Sequence, residues 1–178
     1  AASDVYKRQT LYIYETNTRI SRIDGTTGVR TVLAGTGTAA TSGDGGVATD
    51  AAIAGGQAIV LAKTRRFVCF AQNGSTAPHV RVRCINIGSS TLNICGRTIA
   101  AGHIHTIVGT GTAGSSGDAG PSTSATLNDP RGIALSRDEN VLYIADEGNR
   151  IRAVNLTTSN VTVFGRTIAS GNIDTVFD

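Results

Sequence analysis

Short apolar stretches separated by polar and glycine-rich runs make up most of this chain. VLYIA (141–145) and RIRAV (150–154) run apolar or alternate with period two and carry β-branched residues. The DEGN between them supplies turn chemistry, so the pair predicts a β-hairpin. GIALS (132–136), introduced by Asp129-Pro130, predicts a further strand, as do HIHTIV (103–108) and NIDTVF (172–177). No stretch shows a sustained helical period with caps. The longest apolar runs, such as AIVLA at 58–62, are too short to span a membrane.

The pattern recurs, which constrains the fold more than any single segment. TVLAGTGTAATSGDGGVATDAAI (31–53) matches TIVGTGTAGSSGDAGPSTSATLN (106–128), with Asp44 and Asp118 offset by 74 residues. LYIYETNTRISRID (11–24) matches LYIADEGNRIRAVN (142–155), and VCFAQNGSTAPHVRVRCIN (68–86) is a looser third copy. All three copies place an arginine at one position: Arg19, Arg81 and Arg150. GRTIAAGHIHTIV (96–108) matches GRTIASGNIDTVF (165–177). About three copies of a unit with four short antiparallel strands and Gly-rich connectors make a β-propeller-blade pattern, so the predicted fold is all-β.

The stretch GTGTAGSSGDAGPSTSATLNDPRGIALSRDENVLYIADEGNRIRAV resembles the NHL repeat in its variant with a GDGGPAT-type linker, an LNxPxGIA strand and an LYIADxxNxRIRxV hairpin. The resemblance is close over 106–155, good over 11–53 and loose over 54–105, where Gly55-Gly56-Gln57-Ala58-Ile59 stands for Pro-x-Gly-Ile-Ala. It implies a propeller and leaves function open. Three blades do not close a ring, since propellers use about four to eight. Hence the chain is expected to be a segment of a longer protein, or to be completed by copies of itself; the lack of Met points the same way. Residues 1–9 read as a sequencing or assembly artefact, or as a leading strand. Residues 10–54 read as a partial blade with its linker, 55–129 as a second blade with an inserted hairpin and linker, and 130–178 as a third with the same insert. Aligned on Thr31, Thr106 and Thr175, the later copies carry 13 extra residues including GRTIA. A repeated apolar insert needs cover. Arg97, Ile99, Phe164, Arg166 and Ile168 are therefore interface candidates, against a neighbouring blade or against their own.

Cys69, Cys84 and Cys95 all fall in the second copy. Cys69–Cys84 fits as a cross-strand pair and Cys84–Cys95 as a staple of the inserted hairpin; one thiol is left over. Sequons stand at Asn73, Asn155 and Asn160, each on an expected turn or strand end where a glycan could project. Together with the cysteines they favour an extracellular or cell-surface setting, with N-linked glycans as partners. Asp44 and Asp118 in SGDGG and SGDAG could bind Ca²⁺, but acceptance of backbone N–H bonds in a tight turn is the preferred role. Asp146, Asn149, Arg19, Arg81 and Arg150 read as turn and scaffold residues. His79, His103 and His105 form at best a weak metal constellation, because Asn172 and Asp174 replace the last two in the final copy.

Composition narrows the function classes. Of 16 basic residues 14 are Arg, dispersed, for a net charge of +3, and aromatics are only 4%. A nucleic-acid stripe would be denser, so nucleic acid is an unlikely partner. No catalytic set, metal set or other cofactor site stands out: GxSxG is absent, and GTGTAG opens no helix, so it fails as a dinucleotide fingerprint. The expectation is a non-enzymatic extracellular structural or adhesion repeat that associates with copies of itself, with a filament as one form of that assembly. A propeller module binding protein or RNA is the alternative, and a metal-dependent propeller lyase or hydrolase a more distant one.

Overall fold

The computed structural model describes residues 9–74, 79–147 and 149–178; of the expected leading segment 1–9, residues 1–8 lie outside them. The protein is all-β, and among the described residues helix occurs only as single 3-10 turns at Ala48–Asp50 and Ser122–Ser124. β1 (Leu11–Glu15), β2 (Arg19–Ile23) and β3 (Arg30–Ala34) form a three-stranded antiparallel sheet. β4 (Gly56–Ala62), β5 (Phe67–Gln72) and β6 (Val80–Asn86) begin a second sheet. The chain then makes a separate hairpin, β7 (Leu92–Ile94) and β8 (Arg97–Ile99), before β9 (Ile104–Gly111) closes the sheet in the order β4-β5-β6-β9. The third sheet repeats this design: β10 (Gly132–Leu135), β11 (Val141–Asp146), β12 (Arg150–Asn155), the hairpin β13 (Val161–Val163) and β14 (Arg166–Ile168), then β15 (Ile173–Phe177).

The sheets pack through their faces, and period-two alternation decides which residue meets which neighbour. From β5, Val68 and Phe70 pack against Ile20, Ala34, Tyr12 and Tyr14 of the first sheet. The alternate residues Phe67, Cys69 and Ala71 share a core with Leu142, Ile144 and Val154 of the third. Every residue of β5 is therefore buried, which is why FVCFAQ shows no polar face. On the other side of the third sheet, Val141 and Ala153 are covered by Val163 and Ile168 of its own hairpin.

Register corrects one alignment. Val32 stands opposite Ser21 as Thr106 stands opposite Arg83 and Thr175 opposite Arg152. Val32, rather than Thr31, is thus the counterpart of the two threonines, and the insert is 12 residues: Asp24 to Val32 takes 8 steps and Asn86 to Thr106 takes 20. The same register explains a departure from the repeat. Gly56, rather than Gly55 as the sequence alignment has it, matches Pro130, and Tyr14 matches Ala71 and Ala145. A Cβ on Gly56 would lie 2.0 Å from the Tyr14 ring, so the large ring on the first sheet requires glycine on the second.

Candidate interaction site

Two kinds of polar seam hold the sheets in place. Arg19 reaches the loop that follows the last strand of its own sheet, Arg81 the end of β9 in its own sheet, and Arg150 the loop that follows β9 of the preceding sheet. Arg19 Nη2 donates to the Thr36 carbonyl (2.9 Å), Arg81 Nη2 to the Thr110 carbonyl (3.4 Å) and Arg150 Nη1 to the Ser115 carbonyl (3.3 Å). Two residues further on sits an arginine that the repeat comparison does not single out, because the first copy has Ser21 there. Arg83 is fully buried. Its Nε donates to Asp44 Oδ1 (2.8 Å), Nη2 to the Ser42 carbonyl (2.8 Å) and Nη1 to the Ala52 carbonyl (3.0 Å). Arg152, equally buried, repeats the set one sheet on, with Asp118 Oδ1 (2.7 Å), the Ser116 carbonyl (3.1 Å) and the Thr126 carbonyl (2.7 Å). The only sequence signal was their shared spacing after the recurrent arginine, a pair in two copies of three.

These contacts revise the roles of the linker aspartates. Asp44 accepts from Arg83 and from the Thr106 hydroxyl, and Asp118 from Arg152, so each tethers its linker to the next sheet rather than capping its own turn. The charge a calcium ion would supply is already matched by a guanidinium. Asp146 likewise accepts from the amide of Asn128, outside the DEGN turn, with Arg152 Nη1 3.8 Å from its Oδ2. Burial lifts its carboxyl to about 6, against the opposing pull of the Asn128 amide and Arg152. Asn149 takes positive φ (63°) in that turn, a conformation asparagine tolerates.

Cys69 and Cys84 are direct cross-strand partners, with Cα atoms 4.0 Å apart, and form the disulfide. Cys95 stays a buried free thiol 3.6 Å from the Asn155 carbonyl, and burial pushes its pKa up to about 12. The Cys84–Cys95 alternative is thus overturned. Of the sequons, Asn155 is sealed: its amide nitrogen donates to the carbonyls of Ser159 (2.7 Å) and Ile168 (2.9 Å) inside the core, so it offers a glycan no access. Asn73 is half-buried, with its amide bonded to Asp129, and Ser75 of its sequon lies outside the described residues. Asn160 is exposed. His79 pairs with the Thr41 hydroxyl (2.6 Å), His103 Nδ1 donates to the Gly45 carbonyl (3.0 Å), and His105 lies opposite Cys84. Among the described residues no three His, Cys, Asp or Glu side chains come together as a metal site requires.

The inserted hairpins carry the geometry with most bearing on association. Ile94, Cys95 and Ile99 of β7–β8 are buried in the core that the second and third sheets share. Arg65 ties this junction, donating to the carbonyls of Asn93 (3.2 Å), Glu139 (3.0 Å) and Leu156 (3.1 Å). In β13–β14, Ile168 is buried against its own sheet, whereas Phe164, the counterpart of Cys95, is 67% exposed. Its ring stacks edge-on with Phe177 (centroids 5.3 Å apart) and lies 6.3 Å from Tyr143, forming a surface aromatic cluster. Arg97 is exposed, and Arg166 approaches Asp174 at 3.8 Å across the surface. Among the described residues no helix is long and apolar enough to cross a membrane.

No protein-family model and no curated protein matches the chain. Among solved structures, one similar chain is a structural genomics protein of unknown function from Bacteroides thetaiotaomicron VPI-5482, at 15% identity and a TM-score of 0.33. The match covers 92% of this chain and 50% of that one, so the chain spans half of that protein's length.

Proposed function

We propose that the three sheets are NHL-type propeller blades and that the chain is a non-enzymatic scaffold module working outside the cell, where it associates with further blades of its own kind. The observation that carries this reading is the use made of the polar groups. Arg83 and Arg152 are buried against linker aspartates and Arg150 reaches the linker carbonyl of Ser115, so these charges tie each sheet to the linker before it, while Arg19 and Arg81 serve carbonyls of their own sheets. Of the exposed arginines, Arg30, Arg131 and Arg166 face Glu15, Asp129 and Asp174, which disfavours the RNA-binding alternative. A disulfide inside the second sheet suits an oxidising compartment, and Asn160 is the accessible sequon. Secretion of the chain from a glycosylating host tests the setting. Peptide mass mapping is expected to find a glycan on Asn160 and none on Asn155. Association is tested by sedimentation velocity over the micromolar range, where a rise in mass with concentration supports the reading. An unglycosylated chain that stays monomeric throughout refutes it.

A further inference from the structure

The repeat supplies an internal template for a surface that nothing in the described structure covers. On the second sheet Cys69, Ala71, Val82, Cys95 and Val108 are buried beneath the third sheet. Strand register assigns their counterparts on the third sheet as Tyr143, Ala145, Ile151, Phe164 and Phe177. Here the same positions lose their cover: Phe164 is 67% and Phe177 57% exposed, Ala145 is exposed, and Tyr143 and Ile151 are half-buried. At the other end, Leu142, Ile144 and Val154, which cover the second sheet, correspond to Leu11, Ile13 and Ile23 of the first. Leu142 is fully buried, whereas Leu11 is 54% exposed. One end of the stack thus displays the covered half of the sheet–sheet interface, and the opposite end displays the covering half.

We propose that a second copy of this chain seats its Leu11 face on the Phe164–Phe177 face, reproducing between molecules the contact that joins the second and third sheets within one. The inference rests on the blade-scaffold reading. The backbone at the contact supports it. The tip of β13–β14 is a two-residue turn with φ of 47° at Phe164 and 80° at Gly165. The first of these positions normally takes Asn, Asp or Gly. Cys95 and Gly96 hold the same turn at 49° and 68°, so the two hairpin tips share one backbone and differ in cover: Cys95 is buried under the third sheet and Phe164 is bare. Because the two faces differ, the interface is heterologous: copies add in one direction, closing a ring if the rotation allows and growing into a filament if it does not.

The test uses two surface-blocked forms of the full chain. Phe164→Glu/Phe177→Glu blocks one face and Leu11→Arg the other; far-UV circular dichroism and retention of the disulfide verify that each folds. Wild-type protein is expected to gain mass with concentration. Each blocked form alone is expected to sediment as a monomer under the same conditions, a loss of affinity of about tenfold or more. An equimolar mixture of the two is expected to form a dimer and nothing larger, since each still offers one intact face. If wild type associates and the blocked forms associate equally well, the proposed face is wrong while the scaffold reading stands. A mixture that stays monomeric while wild type associates likewise overturns the face and spares the scaffold. If wild type itself never associates, self-assembly fails together with this interface.

Discussion

Removing the Asp44 carboxylate strips Arg83 of the one charged acceptor it has among the described residues while leaving the guanidinium buried. Asp44→Ala removes the bond from Arg83 Nε (2.8 Å), the bond from the Thr106 hydroxyl, and the nearby charge facing Arg81 at 3.6 Å. The Ser42 and Ala52 carbonyls remain to accept from Arg83, but they are neutral. Burial already makes the cation easier to deprotonate than a free arginine, with Asp44 working against that effect. Breaking a buried ion pair from one side costs about 3–5 kcal/mol. Water can reach part of this site, because the Asp44 side chain is 30% exposed, which moves the expectation to about 2–3 kcal/mol. Asp118→Ala should cost less, about 1–2 kcal/mol: Asp118 is 39% exposed, and Arg152 keeps Asp146 3.8 Å away. The assay is urea unfolding followed by circular dichroism and tyrosine fluorescence, whose coincidence licenses a two-state treatment. The larger loss corresponds to a midpoint shift of about 1 M at an ordinary slope. In a double-mutant cycle, Arg83→Met with Asp44→Ala should cost clearly less than the two single changes added together. A loss below about 0.5 kcal/mol for Asp44→Ala would refute the reasoning, since an effect that small is ordinary for a surface change. So would a larger loss at Asp118, or a cycle with no coupling.

Three further outcomes are expected. An acid whose folded-state pKa is raised holds its proton more tightly when folded, so Asp146, lifted to about 6, contributes stability that is full below the unfolded value of about 3.9 and lost as pH rises through 6. Wild type minus Asp146→Asn should therefore show stability falling across that window by at most about 3 kcal/mol, and parallel profiles would contradict the assignment. The disulfide closes a loop with a sequence separation of 15, so Cys69→Ala/Cys84→Ala should lose about 3 kcal/mol in the same unfolding assay; a loss under about 1 kcal/mol would show that it adds no constraint. The Cys95 thiol is buried and raised to about 12, so iodoacetamide at mildly alkaline pH should leave it unlabelled until urea unfolds the chain. Labelling of the native protein at the rate of a free thiol would place it at the surface instead.

Much of the architecture could be read from residue order. Period-two alternation and recurrent turn chemistry mark β10, β11, β12 and β15, and the repeated GRTIA marks the hairpins, because strand formation and tight turns depend on neighbours in sequence. The same local logic made Cys69–Cys84 one of two open pairings, through the match to Tyr143 and Ala153 across the DEGN turn, and the strand register selected it. Residue order misjudged what depends on distance in space. Asp44 looked like a turn cap because its flanking glycines are local, whereas its partners Arg83 and Thr106 lie 39 and 62 residues away. Asn155 satisfies a sequon, yet the hairpin folding back over it turns its amide into a core hydrogen-bond donor.

Residue order alone thus determined that the chain is a tandem of small antiparallel sheets, because alternation and turn propensity act within a few residues. Only the tertiary structure decided which arginines are buried, which cysteine is left free and which faces lie open. Burial is a property of the stack: the same repeat position is sealed as Cys95 between two sheets and bare as Phe164 at the end of the row.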